Sequence, residues 1–383
     1  MKKERVLAFI LSLALVTGGC GVQGNSQLGE MGDNSQSEQV SQSEGIGTEE
    51  GTETESETET IPEPVVTTFT LTATGDCALG ALQYHEWAAS FHQYYDENGE
   101  SYFFENFSEV FAQDDLTLVN LECVFTDAEG RVDKQFNIKG KETYAGILTS
   151  QSVEACSLGN NHTLDYGEES LIDTQNALNA AGVLWAYNDV VSYFTTEDGI
   201  KVAMVSVNLF KSEQENPEHY LFDGIEKAKQ ENADLIIVSP HWGIEMDYNA
   251  NATQQDLGHR LIDAGADLVI GNHPHVLQGI EYYKGKMICY SLANFSFGAN
   301  RNPSDKKTMV YQQTFTFVDG ELQPEIDAKI IPARVSGASS YNNYQPIIAE
   351  GDQKAEIIKI MNDISAPFGG VTFDENGIIS ISE

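Results

Sequence analysis

Two histidines separated by one proline are the residues of this sequence best placed to bind a metal ion. His273-Pro274-His275 follows residues 266–270, whose apolar and partly β-branched side chains predict a short buried strand. Because proline fixes its own φ and restricts the residue before it, the two rings are expected to keep one relative orientation. Neutral imidazole is the commonest metal ligand in proteins. Taken alone, the stretch leaves open two surface histidines in a turn.

Further oxygen and nitrogen ligands follow other predicted strands, at residues 68–74, 116–119, 153–158 and 234–238. Ligands of open α/β sheets bind at the carboxyl ends of the strands. A set without thiolate suits Mn²⁺, Fe²⁺ or Zn²⁺ and argues against a structural zinc site. The six candidate ligands match two divalent ions that share a carboxylate, an arrangement that holds a phosphoryl group. They are Asp76, Glu122, Asn161, His241, His273 and His275.

His162, next to Asn161, would then be free to act as an acid or to stabilise developing charge. Other roles remain open for single residues of the cluster. Asp76 and Glu122 could cap helices, Asn161 could be a turn residue, and His241 could be a core histidine. Asp165 is expected to shape the turn into the next helix.

The elements that would position these residues alternate between strands and helices, which predicts an α/β fold with mixed sheets. Further strands are predicted at 183–187, 202–207 and 286–290, and a hairpin begins with 309–317. Helices are predicted at 82–94, 102–112, 167–182, 224–231, 253–264 and 354–364.

The formal charge of the 383-residue chain is −38. Residues 1–19 carry +2 and residues 20–66 carry −11, which leaves −29 for residues 67–383. So acidic a body should repel nucleic acid and anionic membrane surfaces. Nucleic acid is therefore not expected as a partner.

The N-terminus reads as a targeting segment. Three cations, Lys2, Lys3 and Arg5, precede an apolar run at 6–16 that is too short to span a bilayer. The small residues before Cys20 resemble a bacterial lipoprotein signal, which predicts a signal peptide at 1–19 and a lipid on Cys20. An ordinary secretory signal is the alternative. Either way, we expect the protein outside the cytoplasm, and with the lipid it would lie on the extracellular face of the cell membrane.

Residues 20–66 are rich in Ser, Thr and Glu, and are expected to form a disordered acidic tether to a folded body at 67–383. The four other cysteines lack metal-type spacing and are expected as buried thiols, although a disulfide stays open in this compartment. They are Cys77, Cys123, Cys156 and Cys289.

Several sequence blocks together resemble the CapA family of capsule and poly-γ-glutamate biosynthesis proteins. The resemblance covers about residues 67–335, with the blocks in the family's order. The blocks are Gly75-Asp76, Asn120-Leu121-Glu122, residues 160–167, residues 241–245, residues 271–278 and residues 290–295.

That family is similar to calcineurin-like metallophosphoesterases, which implies a four-layer α/β/β/α sandwich. The resemblance also assigns roles to single residues. Asp76 and His275 would hold one ion, Asn161, His241 and His273 a second, Glu122 would bridge them, and His162 would be catalytic. Beyond these roles, Glu245 and Asn294 could face substrate, support the ligands or be merely structural. The sequence departs from the phosphoesterase pattern at Ala78, where Asp-x-His has its histidine, and at Glu122, which replaces an aspartate.

Two main hypotheses follow. The first is a membrane-anchored, metal-dependent hydrolase that supports a surface polymer such as poly-γ-glutamate, with the polymer or its precursor and membrane biosynthesis proteins as partners. The second is a non-catalytic, metal-binding assembly factor. A secreted nuclease or nucleotidase fits the chemistry, but its substrate fits the acidic surface poorly.

Overall fold

The fold is known from a computed structural model, which describes residues 63–210 and 215–382. The predicted signal peptide, Cys20 and nearly all of the predicted tether lie outside these residues. The first strand of the described residues begins at Val66, one residue before the predicted start of the folded body at residue 67. Among the described residues, no helix is long and apolar enough to cross a membrane.

The described chain contains twenty strands. They are β1 (Val66–Ala78), β2 (Ala81–Leu82), β3 (Leu116–Leu121), β4 (Val124–Phe125), β5 (Ile138–Gly140), β6 (Ala155–Ser157), β7 (Leu184–Ala186), β8 (Ser192–Thr195), β9 (Lys201–Asn208), β10 (Leu235–His241), β11 (Leu268–Ile270), β12 (Ile280–Tyr283), β13 (Lys286–Cys289), β14 (Asn294–Phe297), β15 (Lys307–Val318), β16 (Glu321–Leu322), β17 (Asp327–Arg334), β18 (Ile347–Ile348), β19 (Val371–Phe373) and β20 (Ile379–Ile381).

Seven α-helices connect and cover the strands. They are α1 (Phe91–Asn98), α2 (Ser108–Phe111), α3 (Ala145–Thr149), α4 (Glu168–Ala181), α5 (Glu218–Gln230), α6 (Ala252–Ala264) and α7 (Gly351–Ser365).

Two large mixed sheets form the body. The first runs β18–β17–β15–β1–β3–β6–β7, with β14 added parallel to β1 and β16 paired to β15. The second runs β12–β13–β11–β10–β9–β8. Strands β1, β3, β6 and β7 are parallel, as are β9, β10, β11 and β13, whereas β15 and β17 are antiparallel. Within each sheet, the carboxyl ends of the parallel strands therefore lie at the same edge.

Alternation along the strands separates three apolar layers. In β9, Val202 and Met204 join the core between the sheets, whereas Ala203 and Val205 face the core beneath α5 and α6. The first sheet alternates in the same way, and its outer face packs against α4 and the aromatic-rich segment before β3. The order is helix, sheet, sheet, helix, and the predicted α/β/β/α sandwich is confirmed.

Local signals explain where the best-predicted helices begin and end. Helix α4 lies between Gly167 and a left-handed Gly182. Helix α6 begins with a capping box formed by Asn251 and Gln254, and it ends at a left-handed Gly265.

The predicted helix at 82–94 is wrong over its first half. Leu82 pairs with Ile138 in a small sheet, turns follow, and α1 begins only after its N-cap, Ser90. Residues 102–112 form short 3₁₀ turns and the single turn of α2 instead of one continuous helix. The phenylalanines of this segment are fully buried: Phe103, Phe104, Phe107 and Phe111. The four cysteines of the body are buried and free, as predicted.

Candidate metal centre

The structure brings the six candidate ligands and His162 to the same edge of the two sheets. Asp76 lies near the end of β1, Glu122 directly follows β3, and His241 ends β10. Asn161 and His162 lie in the loop after β6, and His273 and His275 lie in the loop after β11. The two sheets come together at this edge. Nδ2 of Asn120, in β3 of the first sheet, lies 3.5 Å from Nδ1 of His241, in β10 of the second.

Glu122 is at the middle of the cluster. Its side chain is fully buried, and neither carboxylate oxygen has a hydrogen-bond partner among the described residues. Its Oε1 lies 3.7 Å from Nε2 of His275, 3.8 Å from Nε2 of His241 and 4.0 Å from Nε2 of His162. These distances are too long for hydrogen bonds but suit atoms that share an ion at 2.0–2.2 Å. An orphaned buried carboxylate of this kind fits a metal site.

A second group contains only neutral donors. Nε2 of His241 lies 2.9 Å from Oδ1 of Asn161 and 3.2 Å from Nδ1 of His273. Burial lowers the pKa of His241 well below its usual value. Burial, helped by His275, lowers the pKa of His273 to about 3. Both rings therefore stay neutral at neutral pH, the form that binds metal ions.

The remaining group pairs Asp76 with His275. Nδ1 of His275 lies 3.0 Å from Oδ2 of Asp76 and 2.9 Å from Oδ1 of Asn294. The other oxygen of Asp76 accepts a 2.8 Å hydrogen bond from Asn120. Glu122, His273 and His275 each offer a ligand atom, and these atoms lie within 4.8 Å of one another.

Buried negative charge dominates the electrostatics of the cluster. Burial, and then Asp76, raises the pKa of Glu122 well above its usual value. Burial opposes charge on His275, but Glu122 and Asp76 outweigh it and raise the pKa of His275 to about 10. Both directions favour a positive charge, either a proton or a metal ion, beside these carboxylates.

His162 is fixed by residues outside the candidate ligand set. Its Nδ1 lies 2.8 Å from Oδ2 of the buried Asp165, and its Nε2 faces Glu122. Lys134 forms an ion pair with the other oxygen of Asp165 and donates a 2.6 Å hydrogen bond to the carbonyl of Asn161. Burial lowers the pKa of His162, partly offset by Asp165. Asp165 therefore orients this histidine, beyond the turn-shaping role expected of it.

The His-Pro-His segment has an unusual backbone. His273 has φ 100° and His275 has φ 58°, both in the left-handed region. Proline normally keeps the preceding residue extended, and His273 departs from that rule. Non-glycine residues persist in this region when the surrounding structure enforces it, often at functional sites. Here the amide of His273 lies 3.3 Å from Oδ2 of Asp76, and the carbonyl of Pro274 accepts a hydrogen bond from Met246.

The residues with less certain sequence roles also lie near the cluster. Glu245 is exposed on the loop after β10, and its charge acts on both Glu122 and His275. Asn294 contacts His275 directly. Ala78, where the Asp-x-His pattern would place a histidine, is fully buried and offers no ligand atom. No separate role was predicted for Asn120 or Lys134. Asn120 could have been noticed, because it stands two residues before Glu122 in the block Asn120-Leu121-Glu122.

A helix–sheet–sheet–helix sandwich with this cluster at its strand ends defines an α/β protein with a candidate metal centre. The chain belongs to the family described as bacterial capsule synthesis protein PGA_cap, whose model matches residues 70–299. The resemblance to CapA proteins is therefore confirmed.

Two relatives bear names that agree with this family. The capsule biosynthesis protein CapA of Bacillus anthracis is 30% identical over 253 residues, covering 60% of this chain and 59% of that protein. The PGA biosynthesis protein CapA of Bacillus subtilis (strain 168) is 28% identical over 222 residues, covering 53% of this chain and 58% of that protein. The chain thus spans less than two thirds of the length of these relatives.

Solved structures show weaker similarity. The protein TT1561 of Thermus thermophilus matches 64% of this chain and 94% of its own at 10% identity, with a TM-score of 0.40. A 5'-nucleotidase from Candida albicans SC5314 matches 64% of this chain and 46% of its own at 14% identity, with a TM-score of 0.38. Similarity at this level says nothing about a site or an activity.

Proposed function

We propose that this protein is a divalent-metal-dependent phosphoester hydrolase that supports the synthesis or export of a surface polymer such as poly-γ-glutamate. It would act on the extracellular face of the bacterial cell membrane, anchored through Cys20. Membership of the capsule synthesis family and the names of the Bacillus relatives support the polymer. The partners would be the polymer or its precursor and membrane biosynthesis proteins, and not nucleic acid.

The central observation is the position of Glu122 between two groups of ligand atoms. Asp76 and His275 contact each other on one side, and Asn161, His241 and His273 contact each other on the other. Oε1 of Glu122 lies within 3.8 Å of a ring nitrogen of each group. We therefore assign the first pair to one ion, the second group to another, and Glu122 to the bridge. Mn²⁺, Fe²⁺ and Zn²⁺ suit this donor set.

Divalent ions at this place would supply Lewis acidity toward the oxygens of a phosphoryl group. The residues of the chain would do the rest. The carboxylate of Asp165 accepts from Nδ1 of His162, which directs Nε2 into the cluster. When the ring carries a second proton, that proton lies on Nε2 and can pass to a leaving oxygen. Lys134 restrains the loop that carries Asn161 and His162. The left-handed His273 and His275 present their rings to the same edge.

The test measures metal content and turnover together on the full chain. Metal would be counted by mass spectrometry after dialysis, and hydrolysis would be assayed on generic phosphomonoesters and phosphodiesters with added Mn²⁺. We expect about two ions per chain, the number a shared carboxylate site implies, and loss of both metal and turnover in His275→Ala and Glu122→Ala. Turnover that survives both substitutions would refute the assignment.

A non-catalytic assembly factor is the second candidate. One observation favours it: buried Ala78 stands where the phosphoesterase pattern has a ligand histidine, so one ion would lack a donor. One bound ion or none, without turnover on either class of ester but with an intact fold, would support this candidate.

The anchor is tested separately from the chemistry. Cells that express the chain would be fed an alkyne-labelled fatty acid and then fractionated. We expect label and membrane association in the wild type, and loss of both in Cys20→Ser. An unlabelled wild-type protein released into the medium would instead indicate an ordinary secretory signal.

A further inference from the structure

An open groove of about 550 Å³ includes in its lining Tyr166, which stands four residues after His162. Three segments that follow candidate site residues along the chain form its walls: residues 81–85 after Asp76, residues 129–139 after Glu122, and residue 166 after His162. Strands β2 and β5, which carry Leu82 and Lys139, pair with each other in the small sheet β2–β5–β4. The side chains that matter for its chemistry are Tyr84, His85, His92, Arg131, Lys139 and Tyr166.

Asp165 connects the candidate metal centre to the segments that line the groove. Its carboxylate holds His162 on one side and accepts a 2.5 Å hydrogen bond from the amide of Ile138 on the other. Its carbonyl accepts a hydrogen bond from the amide of Val132. Tyr166 stands four residues after His162, so their Cα atoms are at most about 14 Å apart. A ligand of a few residues could therefore reach from the groove to the cluster.

The groove carries positive charge on a strongly acidic body. Arg131 is exposed, and Lys139 is half-buried with its Nζ 2.6 Å from the carbonyl of Ala128 and 4.7 Å from the centre of the Tyr166 ring. Among the ion pairs of the described residues, none uses Arg131 or Lys139. Glu129 is the single acid of the lining. Residues 67–383 carry −29 in total, so this local excess of cations is the exception.

Neutral polar groups line the same groove. Nδ1 of His85 is buried and has no hydrogen-bond partner among the described residues. Burial, followed by the charge of Arg301, lowers the pKa of His85 to about 4, so its ring is neutral at pH 7. The Tyr84 side chain is 59% exposed and meets the His85 ring edge to face. The groove thus offers two cations together with groups that suit amides and flat apolar surface.

We propose that this groove binds a segment of a polycarboxylate polyamide, with its carboxylates on Arg131 and Lys139, and leads that segment toward the metal centre. This inference rests on the proposed function for the identity of the polymer. A polyphosphate or a nucleic acid also carries a charge on every unit but lacks backbone amides, so the neutral polar groups of the groove fit it less well. Salt should weaken the binding, because the contacts are exposed charge pairs.

The experiment measures binding of a fluorescein-labelled γ-glutamate oligomer to the full chain by fluorescence anisotropy. Exposed charge pairs contribute about 0.2–1 kcal/mol, so we expect about two- to fivefold weaker binding in Arg131→Gln and about tenfold in Arg131→Gln/Lys139→Gln. The double substitution Lys284→Gln/Lys359→Gln removes the same charge from exposed lysines elsewhere and should leave affinity unchanged. Because Lys139 also bonds Ala128, the single Arg131 variant keeps the test valid if the double variant unfolds.

Several results would overturn the proposal. They are no binding by the wild type, equal loss in the lysine control, equal competition by a neutral γ-glutamine oligomer, and tighter binding of polyphosphate. Metal content is measured in the same samples, which separates this inference from the proposed function. A chain without metal or turnover that still binds through Arg131 would keep the groove and refute the hydrolase. A metal-loaded, active chain that binds the oligomer equally well with and without Arg131 would support the hydrolase and refute the groove.

Discussion

Oε1 of Glu122 lies 3.7 Å from Nε2 of His275, inside a site where Glu122 is fully buried. The separation is too long for a hydrogen bond, yet both atoms could bind one ion. A carboxylate that is buried without a hydrogen-bond partner lowers the stability of the fold, because burial penalises polar and charged groups that are not hydrogen-bonded. The proposed ligand role therefore accounts for this residue, whereas the stability of the fold does not.

The first prediction separates these two roles. Glu122→Gln should abolish metal binding, because an amide cannot act as the bridging carboxylate. In the presence of a chelator it should raise the free energy of unfolding by about 1–3 kcal/mol, because a buried charge is replaced by a neutral group of the same shape. Urea denaturation with a chelator, together with metal analysis, checks both effects.

Glu245→Gln is the matched control for that variant. Glu245 acts on the same cluster through its charge but is exposed, so its stability effect should stay within about 0.5 kcal/mol. A Glu122→Gln protein that is less stable than the wild type with chelator present would contradict the assignment.

The second prediction concerns Lys134, which links Asp165 to the carbonyl of Asn161. Lys134→Met should lower the activity by about 10–100-fold, the usual effect of removing a group that orients the residues of a metal site. The metal content should change little, since Lys134 touches no ligand atom. Lys134→Arg, which keeps the charge, should restore part of the activity. Wild-type activity in Lys134→Met would show that His162 needs no such support.

The sequence predicted the strand ends well because each ligand block directly follows an apolar strand. Asp76, Glu122 and His241 needed only the alternation of strands and helices to be placed at one edge. Asp165 could have been noticed as a partner of His162, since it stands three residues later in the same turn. Lys134 could not have been noticed in this way. Its ion pair with Asp165 joins two loops, and these loops approach each other only once the small sheet of β2, β5 and β4 has formed.

Helix prediction failed where tertiary pairing replaced local preference. Residues near Leu82 have an apolar spacing that suits a helix, but Leu82 pairs with Ile138 and places the chain in the groove wall. The conformation of His273 was also hidden from local rules, because its positive φ is fixed by contacts with distant residues such as Asp76. These regions build the candidate site, where tertiary constraints override local preference.

The third prediction tests the backbone beneath the cluster. A Cβ at Gly75 would lie 1.8 Å from the carbonyl oxygen of Ala293, so Gly75→Ala must push β14 away from β1. We expect a loss of more than about 3 kcal/mol in the free energy of unfolding, at the upper end of overpacking effects. Gly130→Ala is the control, because a Cβ there meets nothing within 4 Å. Equal stability of the two variants in urea denaturation would show that the strands tolerate the shift.

The fourth prediction concerns pH and His85. Burial, followed by Arg301 and His92, lowers the pKa of His85 from 6.5 in the unfolded chain to about 4 in the folded protein. The unfolded chain therefore takes up a proton that the folded protein does not bind, and His85 should lower the free energy of unfolding as the pH falls from about 6.5 toward 4.

The variant His85→Gln removes this effect. Between pH 7 and pH 5, after allowing for partial exposure, its free energy of unfolding should fall by about 1 kcal/mol less than that of the wild type. Urea denaturation at both pH values measures this, with His219→Gln, an exposed histidine of α5, as the control. An identical loss in wild type and His85→Gln would mean that the ring is hydrated and titrates freely in the groove.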